Sequence, residues 1–239
     1  MNPDADAPFV YHAFISYRHA DNQKDGRKWA DWLHQTLEGY EVPEDIANTD
    51  GDHGPVPRSL YPIFQDEKSL RASSGLNEAL QKALGESRFL IVLCSPAAAE
   101  STYVCDEIRH FKKLGRSRRI LALILSGEPN SADPVSECFP EPLRFGLGED
   151  GELDYTKPEQ PIAADVRIDG TGEGFTNVNA AISAAERGES APVPAGYAEQ
   201  LDRARLKVIA ALLGVGLEDL TRRDKAYELL KARKRARTL

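Results

Sequence analysis

Apolar runs separated by helical periodicity dominate the first half of the chain. The strand-like runs cover residues 9–17, 60–65, 88–94 and 119–125. The last two are apolar almost throughout, which is typical of strands covered on both faces in a parallel sheet. Because helical patterns fill the intervals, the sequence predicts a doubly wound parallel α/β domain, with the strand order left open.

The helical patterns lie at residues 24–40, at residues 76–85 and after Pro96. On the helix after Pro96, Tyr103 and Glu107 are four residues apart and therefore share one face. The carboxylate of Glu107 is thus expected near the carboxyl end of the strand at 88–94. In open α/β sheets this edge is where ligands bind.

The second half of the chain begins irregularly. Residues 128–195 hold 8 of the 15 prolines, and the only strand-like pieces there lie at 143–145 and 161–166. One of these pieces is expected to be the fifth, edge strand. Helical periodicity returns at residues 197–213, and a basic helix is predicted at 217–238.

Charge is unevenly distributed along the chain. The formal net charge is -8 and the pI is about 5.3, which argues against nucleic acid as a partner. Residues 216–239 nevertheless carry eight Lys/Arg against four Asp/Glu, while residues 1–215 carry 22 against 34. This contrast predicts a surface or partner contact at the basic end, either with a membrane or with a further module beyond it. An ordinary solvated helix face is the other open interpretation.

The three cysteines, Cys94, Cys105 and Cys138, fit neither a disulfide framework nor a zinc-ligand spacing. The acidic start is unlike a signal peptide, and no apolar run approaches the roughly 20 residues of a membrane span. We therefore expect a cytoplasmic protein with reduced thiols.

Three segments, in this order, resemble the TIR (Toll/interleukin-1 receptor) domain family. Residues 14–18, FISYR, resemble its opening box, and residues 63–76 lie where TIR domains carry the second strand and the long loop after it. Residues 101–107, STYVCDE, resemble the Ser-x-Trp-Cys-x-x-Glu box of enzymatic TIR domains, with Tyr103 replacing Trp and Val104 replacing Cys. Three weak motifs at the right places of one α/β pattern are a strong signal together.

The resemblance implies a flavodoxin-like fold with a five-stranded parallel sheet flanked by helices. It places a TIR domain at residues 9–215, with a core at 9–127, an irregular insertion at 128–195 and the last helix at 197–213. Residues 216–239 would then be a basic helix outside this domain. The likeness is strongest to the bacterial branch that cleaves NAD.

For that branch the resemblance implies cleavage of NAD at the nicotinamide–ribose bond, with NAD as substrate and no resident cofactor or metal. Ordinary glycosidases use two carboxylates, one of which protonates the leaving oxygen. Nicotinamide departs from a ring nitrogen that is already cationic and needs no proton. One carboxylate that stabilises charge at the anomeric carbon is therefore sufficient, and Glu107 is the predicted catalytic residue.

The resemblance also implies a substrate-binding set: Phe14, Ser16, Tyr17, Arg18, Asp66, Leu70, Arg71, Ser73 and Tyr103. Arg18 suits a phosphate contact, although an ordinary surface salt bridge is an equally open interpretation. The loop carrying Asp66 to Ser73 is expected to close over the substrate and to contact a neighbouring subunit. Self-association would then control access to the site.

Several alternatives stay open. Cys105 near His110 is a possible nucleophile, although the five-residue spacing does not place the two on one helix face. The chain is either an NAD-cleaving enzyme of bacterial antiphage or cell-death signalling, with a linear or cyclic product, or a non-catalytic TIR scaffold. A receiver would need an acidic pair after the first strand, and a P-loop enzyme a glycine-rich Lys-Ser/Thr signature; neither is present.

Overall fold

The computed structural model of the protein describes residues 9–65 and 78–238. In chain order the strands and helices are β1 (Tyr11–Ser16), α1 (Trp29–Glu38), β2 (Asp50–Gly51), β3 (Gly54–Pro55), β4 (Ile63–Gln65), α2 (Glu78–Gly85), β5 (Ser87–Cys94), α3 (Pro96–Ala99), α4 (Thr102–Lys113), β6 (Ile120–Ile124), α5 (Glu141–Arg144), β7 (Phe145–Leu147), β8 (Leu153–Pro158), β9 (Ile162–Asp165), α6 (Val178–Glu186), α7 (Tyr197–Leu213) and α8 (Leu217–Thr238). Short 3₁₀ turns lie at His19–Asn22 and Ser117–Arg119.

The central sheet has five parallel strands in the order β4-β1-β5-β6-β9. With the core strands counted along the chain this is the order 2-1-3-4-5, which is the flavodoxin-like arrangement. The predicted fold class is confirmed. In this topology the chain reverses its direction of winding between β1 and β5, and the crevice at their carboxyl ends is the expected ligand position.

Two hydrophobic clusters cover the two faces of the sheet. Ile15 and Tyr17 face the cluster that contains α1 and α7, whereas Phe14 faces the cluster that contains α2 and α4. Successive side chains of a strand point to opposite faces. Ser16, between Ile15 and Tyr17, therefore points to the same face as Phe14, toward α4.

The structure differs from the sequence expectation in several bounds. Of the two pieces predicted as the fifth strand, 161–166 contains it as β9, while residues 145–147 pair with β8 in a separate antiparallel hairpin. The single helix expected after Pro96 is divided into α3 and α4. Residues 128–195, predicted to be irregular apart from those two pieces, also contain α5, the hairpin of β7 and β8, and α6.

Buried hydrogen bonds connect residues 166–200 to the carboxyl edge of the sheet. The hydroxyl of Tyr197 donates to the Val166 carbonyl at 2.8 Å and accepts from the Phe175 amide at 2.7 Å. The Gly174 amide donates to the Leu125 carbonyl, just beyond β6, at 2.9 Å. These bonds satisfy backbone groups that would otherwise be buried without partners. The segment is therefore part of the sheet's carboxyl edge.

His12 makes the stability of this fold sensitive to acid. Burial, and secondarily the charge of Arg88, lower the pKa of His12 to about 4, and its ring stacks on Phe89 with centroids 5.8 Å apart. Because the native state holds the ring neutral, this stability is complete above the unfolded pKa near 6.5 and is lost as the pH falls toward 4. We expect a loss of roughly 3 kcal/mol in the free energy of unfolding across this range.

Urea unfolding of wild type, His12→Gln and His34→Gln at several pH values between about 7 and 4 measures this effect. The His12→Gln protein should show the smaller loss. His34→Gln is the control, because it replaces a histidine of α1 and keeps His12, so the loss assigned to His12 should remain. Equal losses in wild type and His12→Gln would contradict the assignment.

Candidate functional site

The structure brings the first and third family-like segments together at one atomic contact. The hydroxyl of Ser16, the last residue of β1, donates a hydrogen bond of 2.5 Å to Oε2 of Glu107. The two residues are 91 positions apart in the chain, so only the fold explains their proximity. The contact lies at the carboxyl end of β1, beside β5, at the crevice expected from the strand order.

The start of α4 determines where Glu107 points. Ser101 caps this helix, and its hydroxyl accepts a hydrogen bond from the Val104 amide at 3.5 Å. The helix therefore begins anew after α3 and crosses the sheet with Val104 and Ile108 buried against it. Glu107 lies on the same inward side, one turn after the half-buried Tyr103.

Glu107 and Ser16 are both completely buried. A carboxyl group in such a place needs hydrogen-bond donors, because transfer of a charge from water is otherwise costly. Ser16 is one such donor. In this structure the carboxyl is therefore covered, and a substrate must displace part of its surroundings to reach it.

Two polar contacts bridge the ends of β1 and β5. The exposed Arg18 donates through Nη1 to the Ala97 carbonyl at 3.2 Å, and the Ser95 hydroxyl donates to Asp21 Oδ2 at 2.6 Å. Burial raises the pKa of Asp21. Asp21 and Ser95 are edge residues that the sequence analysis did not select. Ser95 directly follows β5, whereas Asp21 lies five residues beyond the end of β1.

A short turn follows β1, in place of a long helix whose N-terminus could bind a pyrophosphate. A four-residue 3₁₀ turn, His19–Asn22, follows Arg18. Such a turn is too short to sum its peptide dipoles as a long helix does. Asn22 instead serves α1, because its Oδ1 accepts from the Ala30 amide at 2.9 Å. A phosphate contact in this region would therefore depend on Arg18 itself.

An open polar cavity of about 870 Å³ lies at the ends of β1 and β4. Its lining residues are Tyr17, His19, Asn22, Gln23, Lys28, Asp31, His34 and Gln65. Since Tyr17 and Ser16 point to opposite faces of β1, this cavity and the Glu107 carboxyl lie on the two sides of the same strand end. Glu107 is not among the lining residues.

The other predicted site residues fall into three groups. Phe14 is completely buried and stacks on Phe64 with centroids 4.9 Å apart, so its ring packs in the core rather than facing a ligand. Tyr17 lines the polar cavity and contacts His19 edge to face at 5.2 Å. Four of the predicted loop residues lie outside the described residues, namely Asp66, Leu70, Arg71 and Ser73.

The geometry of Cys105 does not favour a nucleophile. Its thiol lies 3.7 Å from the Ala99 carbonyl oxygen, and burial raises the pKa of the thiol. The reactive form of cysteine is the thiolate, which a raised pKa disfavours. Cys94, inside β5, is more deeply buried and its pKa is raised further for the same reason.

Among the helices of residues 9–65 and 78–238, none is both long and apolar enough to cross a bilayer. The predicted membrane contact beyond the basic end is not tested by this observation, which concerns spanning helices alone.

Comparison with known protein families matches the part of the chain that contains Glu107. The family model described as "TIR domain" matches residues 58–145, which include β5 and the Glu107 helix. The NAD(+) hydrolase ApTIR of Actinoplanes sp. is 30% identical over 129 residues, or 49% of this chain, but the chain spans only 14% of that relative's length.

A solved assembly, the activated Roq1 resistosome recognising the pathogen effector XopQ (TIR domains), matches 49% of this chain and 58% of its own. The identity is 23% and the TM-score is 0.33. At that score the likeness carries no weight beside the family match and the sheet order. Residues 58–145 are therefore similar to the TIR domain family, and the order of the sheet agrees with that match.

Proposed function

We propose that this protein cleaves NAD at the bond between nicotinamide and ribose, with Glu107 as the catalytic residue. The observation that carries the proposal is the contact between Ser16 and Glu107, which holds one carboxylate at the carboxyl end of β1. The similar protein from Actinoplanes is named an NAD(+) hydrolase, which supports the same reaction class.

The proposed reaction needs no proton transfer from the protein to the leaving group. The carbon–nitrogen bond breaks with both electrons going to the pyridinium nitrogen, so nicotinamide leaves neutral. Positive charge develops at the anomeric carbon, and water attacks there and loses a proton to solvent, giving ADP-ribose. A carboxylate accepting hydrogen bonds from the ribose hydroxyls stabilises that charge. Attack by a group of the substrate itself in place of water would give a cyclic product.

Ser16 keeps the carboxylate oriented for this role. A carboxylate has about four acceptor sites on its two oxygens, so a ribose hydroxyl can bind without loss of the Ser16 bond. Arg18 uses one of its five N–H donors on the Ala97 carbonyl, and we assign the remaining donors to the pyrophosphate. Tyr103, one turn before Glu107, is the aromatic residue that we assign to the nicotinamide ring.

The burial of Glu107 adds a requirement to the proposal. The Glu107 carboxyl has no exposed area. Substrate must therefore bind to a conformation in which the residues that bury this carboxyl have moved. We propose that contacts between TIR domains favour that conformation. NAD loss in a bacterial cell during phage infection or cell death is the setting that we propose for this control.

Nicotinamide release measured against protein concentration tests both parts. We expect release from NAD, with activity per molecule rising as the protein is concentrated or crowded, because assembly populates the uncovered form. Constant activity per molecule would contradict control by assembly. Complete absence of release in the concentrated, assembled protein would contradict cleavage itself.

Replacement of Cys105 tests the alternative nucleophile. We expect Cys105→Ser to retain nicotinamide release within about twofold of wild type, because the thiol is held protonated and is no part of the proposed chemistry. Release should be compared at equal protein concentration in the assembled state. An inactive but folded Cys105→Ser protein would transfer the catalytic assignment away from Glu107.

A TIR scaffold without catalysis is the second candidate function. The complete burial of Glu107 favours it, since a carboxyl that is never uncovered has only a structural role. A scaffold would assemble without nicotinamide release, and Glu107→Gln would leave assembly unchanged. An enzyme would assemble and release nicotinamide, so light scattering and nicotinamide release on the same samples separate the two.

A further inference from the structure

The outer face of α8 combines exposed leucines with basic residues. Leu229 and Leu230 are 61% and 54% exposed, although most large apolar side chains of the described chain are buried. On a helix with 3.6 residues per turn, these leucines share one side with Ala226, Arg222, Lys225 and Arg233. All of these side chains are exposed.

Arg222 pairs with Asp219 at the start of this face, and beyond Arg222 the face carries no acidic residue. Between residues 222 and 236 the only acids are Asp224 and Glu228. Asp224 is buried and accepts from Arg205 at 3.1 Å, and Glu228 falls outside the arc of the leucines. The outer face is therefore apolar and cationic, on a protein whose first 215 residues carry an excess of acids.

The opposite side of α8 holds the helix in place. Arg223 pairs with Asp45 at 2.6 Å, and Tyr227 and Lys231 both contact Glu41 at 2.9 Å. Leu220 is completely buried against the domain. These contacts lie on the inner side of α8 and fix its orientation. Leu229 and Leu230 are therefore on the side that faces solvent.

We propose that the outer face of α8 binds an anionic membrane surface. In interfacial helices the apolar side chains enter the headgroup boundary while Lys and Arg stems lie along it and keep their charges near the lipid phosphates. Each such cation raises the affinity for an anionic surface about fivefold. A second copy of the same face is a poor occupant, because pairing would oppose cations with cations. The acidic remainder would be repelled, which orients the domain away from the lipid.

Vesicle flotation with the whole protein tests this proposal. Vesicles of phosphatidylcholine alone are compared with vesicles containing about 30% phosphatidylserine, at low and high salt. We expect binding to the anionic vesicles only, weakened at least tenfold by salt of about 0.5 M. Failure to bind anionic vesicles at low salt would overturn the proposal.

Two variants and a matched control locate the contact. Arg233→Glu should weaken binding at least fivefold, whereas Lys82→Glu, with the same charge change at an exposed site of α2, should leave it unchanged. Leu229→Ser with Leu230→Ser should also weaken binding while the thermal midpoint stays constant, because both side chains are exposed.

Two results would contradict a lipid contact at this face. Equal binding by Arg233→Glu and Lys82→Glu would show only a general charge effect. A change in oligomeric state on replacing the leucines, without a change in vesicle binding, would identify a protein interface instead.

Discussion

Replacement of Glu107 by Gln should lower the rate of nicotinamide release from NAD by about a thousandfold. The amide keeps the size of the side chain and an acceptor for Ser16, so the change removes mainly the negative charge. Loss of one electrostatic stabiliser of a transition state typically costs 10²- to 10³-fold in rate, and here the carboxylate is the proposed main stabiliser. Substrate binding should change less than turnover, because the missing charge matters most as the bond breaks.

The matched control is Asp106→Asn, which neutralises the adjacent carboxylate of the same helix. Asp106 is 47% exposed and pairs with Arg109 at 3.2 Å. Its variant should release nicotinamide as the wild type does. Glu107→Gln should be at least as stable as wild type, since a buried carboxylate gives way to a neutral group. Activity above a tenth of wild type in Glu107→Gln would contradict the catalytic assignment.

Gly174→Ala should be the most destabilising single-methyl change that we can identify in the described chain. An added Cβ would lie 2.2 Å from the Val166 carbonyl oxygen and 3.2 Å from Cζ2 of Trp29. Neither group can move easily, because one is backbone beside β9 and the other is a ring that is 1% exposed. Overpacking of this kind lowers the free energy of unfolding by about 3 kcal/mol.

Thermal and urea unfolding should show this loss as a midpoint about 10 °C lower than wild type. Gly85→Ala is the control, because nothing lies within 4 Å of a Cβ at that position and its φ is not positive. Its midpoint should stay within about 2 °C of wild type. A Gly174→Ala protein as stable as Gly85→Ala would show that residues 166–175 are not packed against the sheet as described.

The central strands could be predicted because their sequences leave few options. Residues 88–94 and 119–125 are apolar almost throughout, which is typical of strands covered on both faces of a parallel sheet. The fifth strand was harder to identify. Residues 161–166 were one of two strand-like pieces. The choice between the two stayed open because Ile-Ala-Ala-Asp has weak strand propensity and Ile162 is 52% exposed at the sheet edge. Pairing with β6, a long-range contact, makes it a strand.

The helix α6 had a signal that could have revealed it. Residues 178–186 are rich in alanine, and Asn177 caps the helix by accepting from the Ala180 amide at 2.8 Å. The surrounding prolines and glycines concealed this pattern. The division between α3 and α4 was likewise readable in Ser101, a residue type that commonly caps helices.

At the candidate site, chain position was predictable and burial was not. The i, i+4 relation of Tyr103 and Glu107 follows from helix geometry, and the edge of the sheet follows from strand polarity. The burial of Glu107 and its hydrogen bond with Ser16 both depend on how segments distant in the chain pack together. Asp21 and Ser95 were missed because a hydrogen bond across 74 positions has no local signature.

The most direct test is a structure of the assembled protein with an NAD analogue whose nicotinamide–ribose bond cannot break. We predict that a hydroxyl of the nicotinamide ribose lies within about 3.2 Å of a Glu107 carboxyl oxygen, with Ser16 still bonded to that carboxyl. An analogue bound in the polar cavity or elsewhere, with Glu107 still covered, would contradict the account.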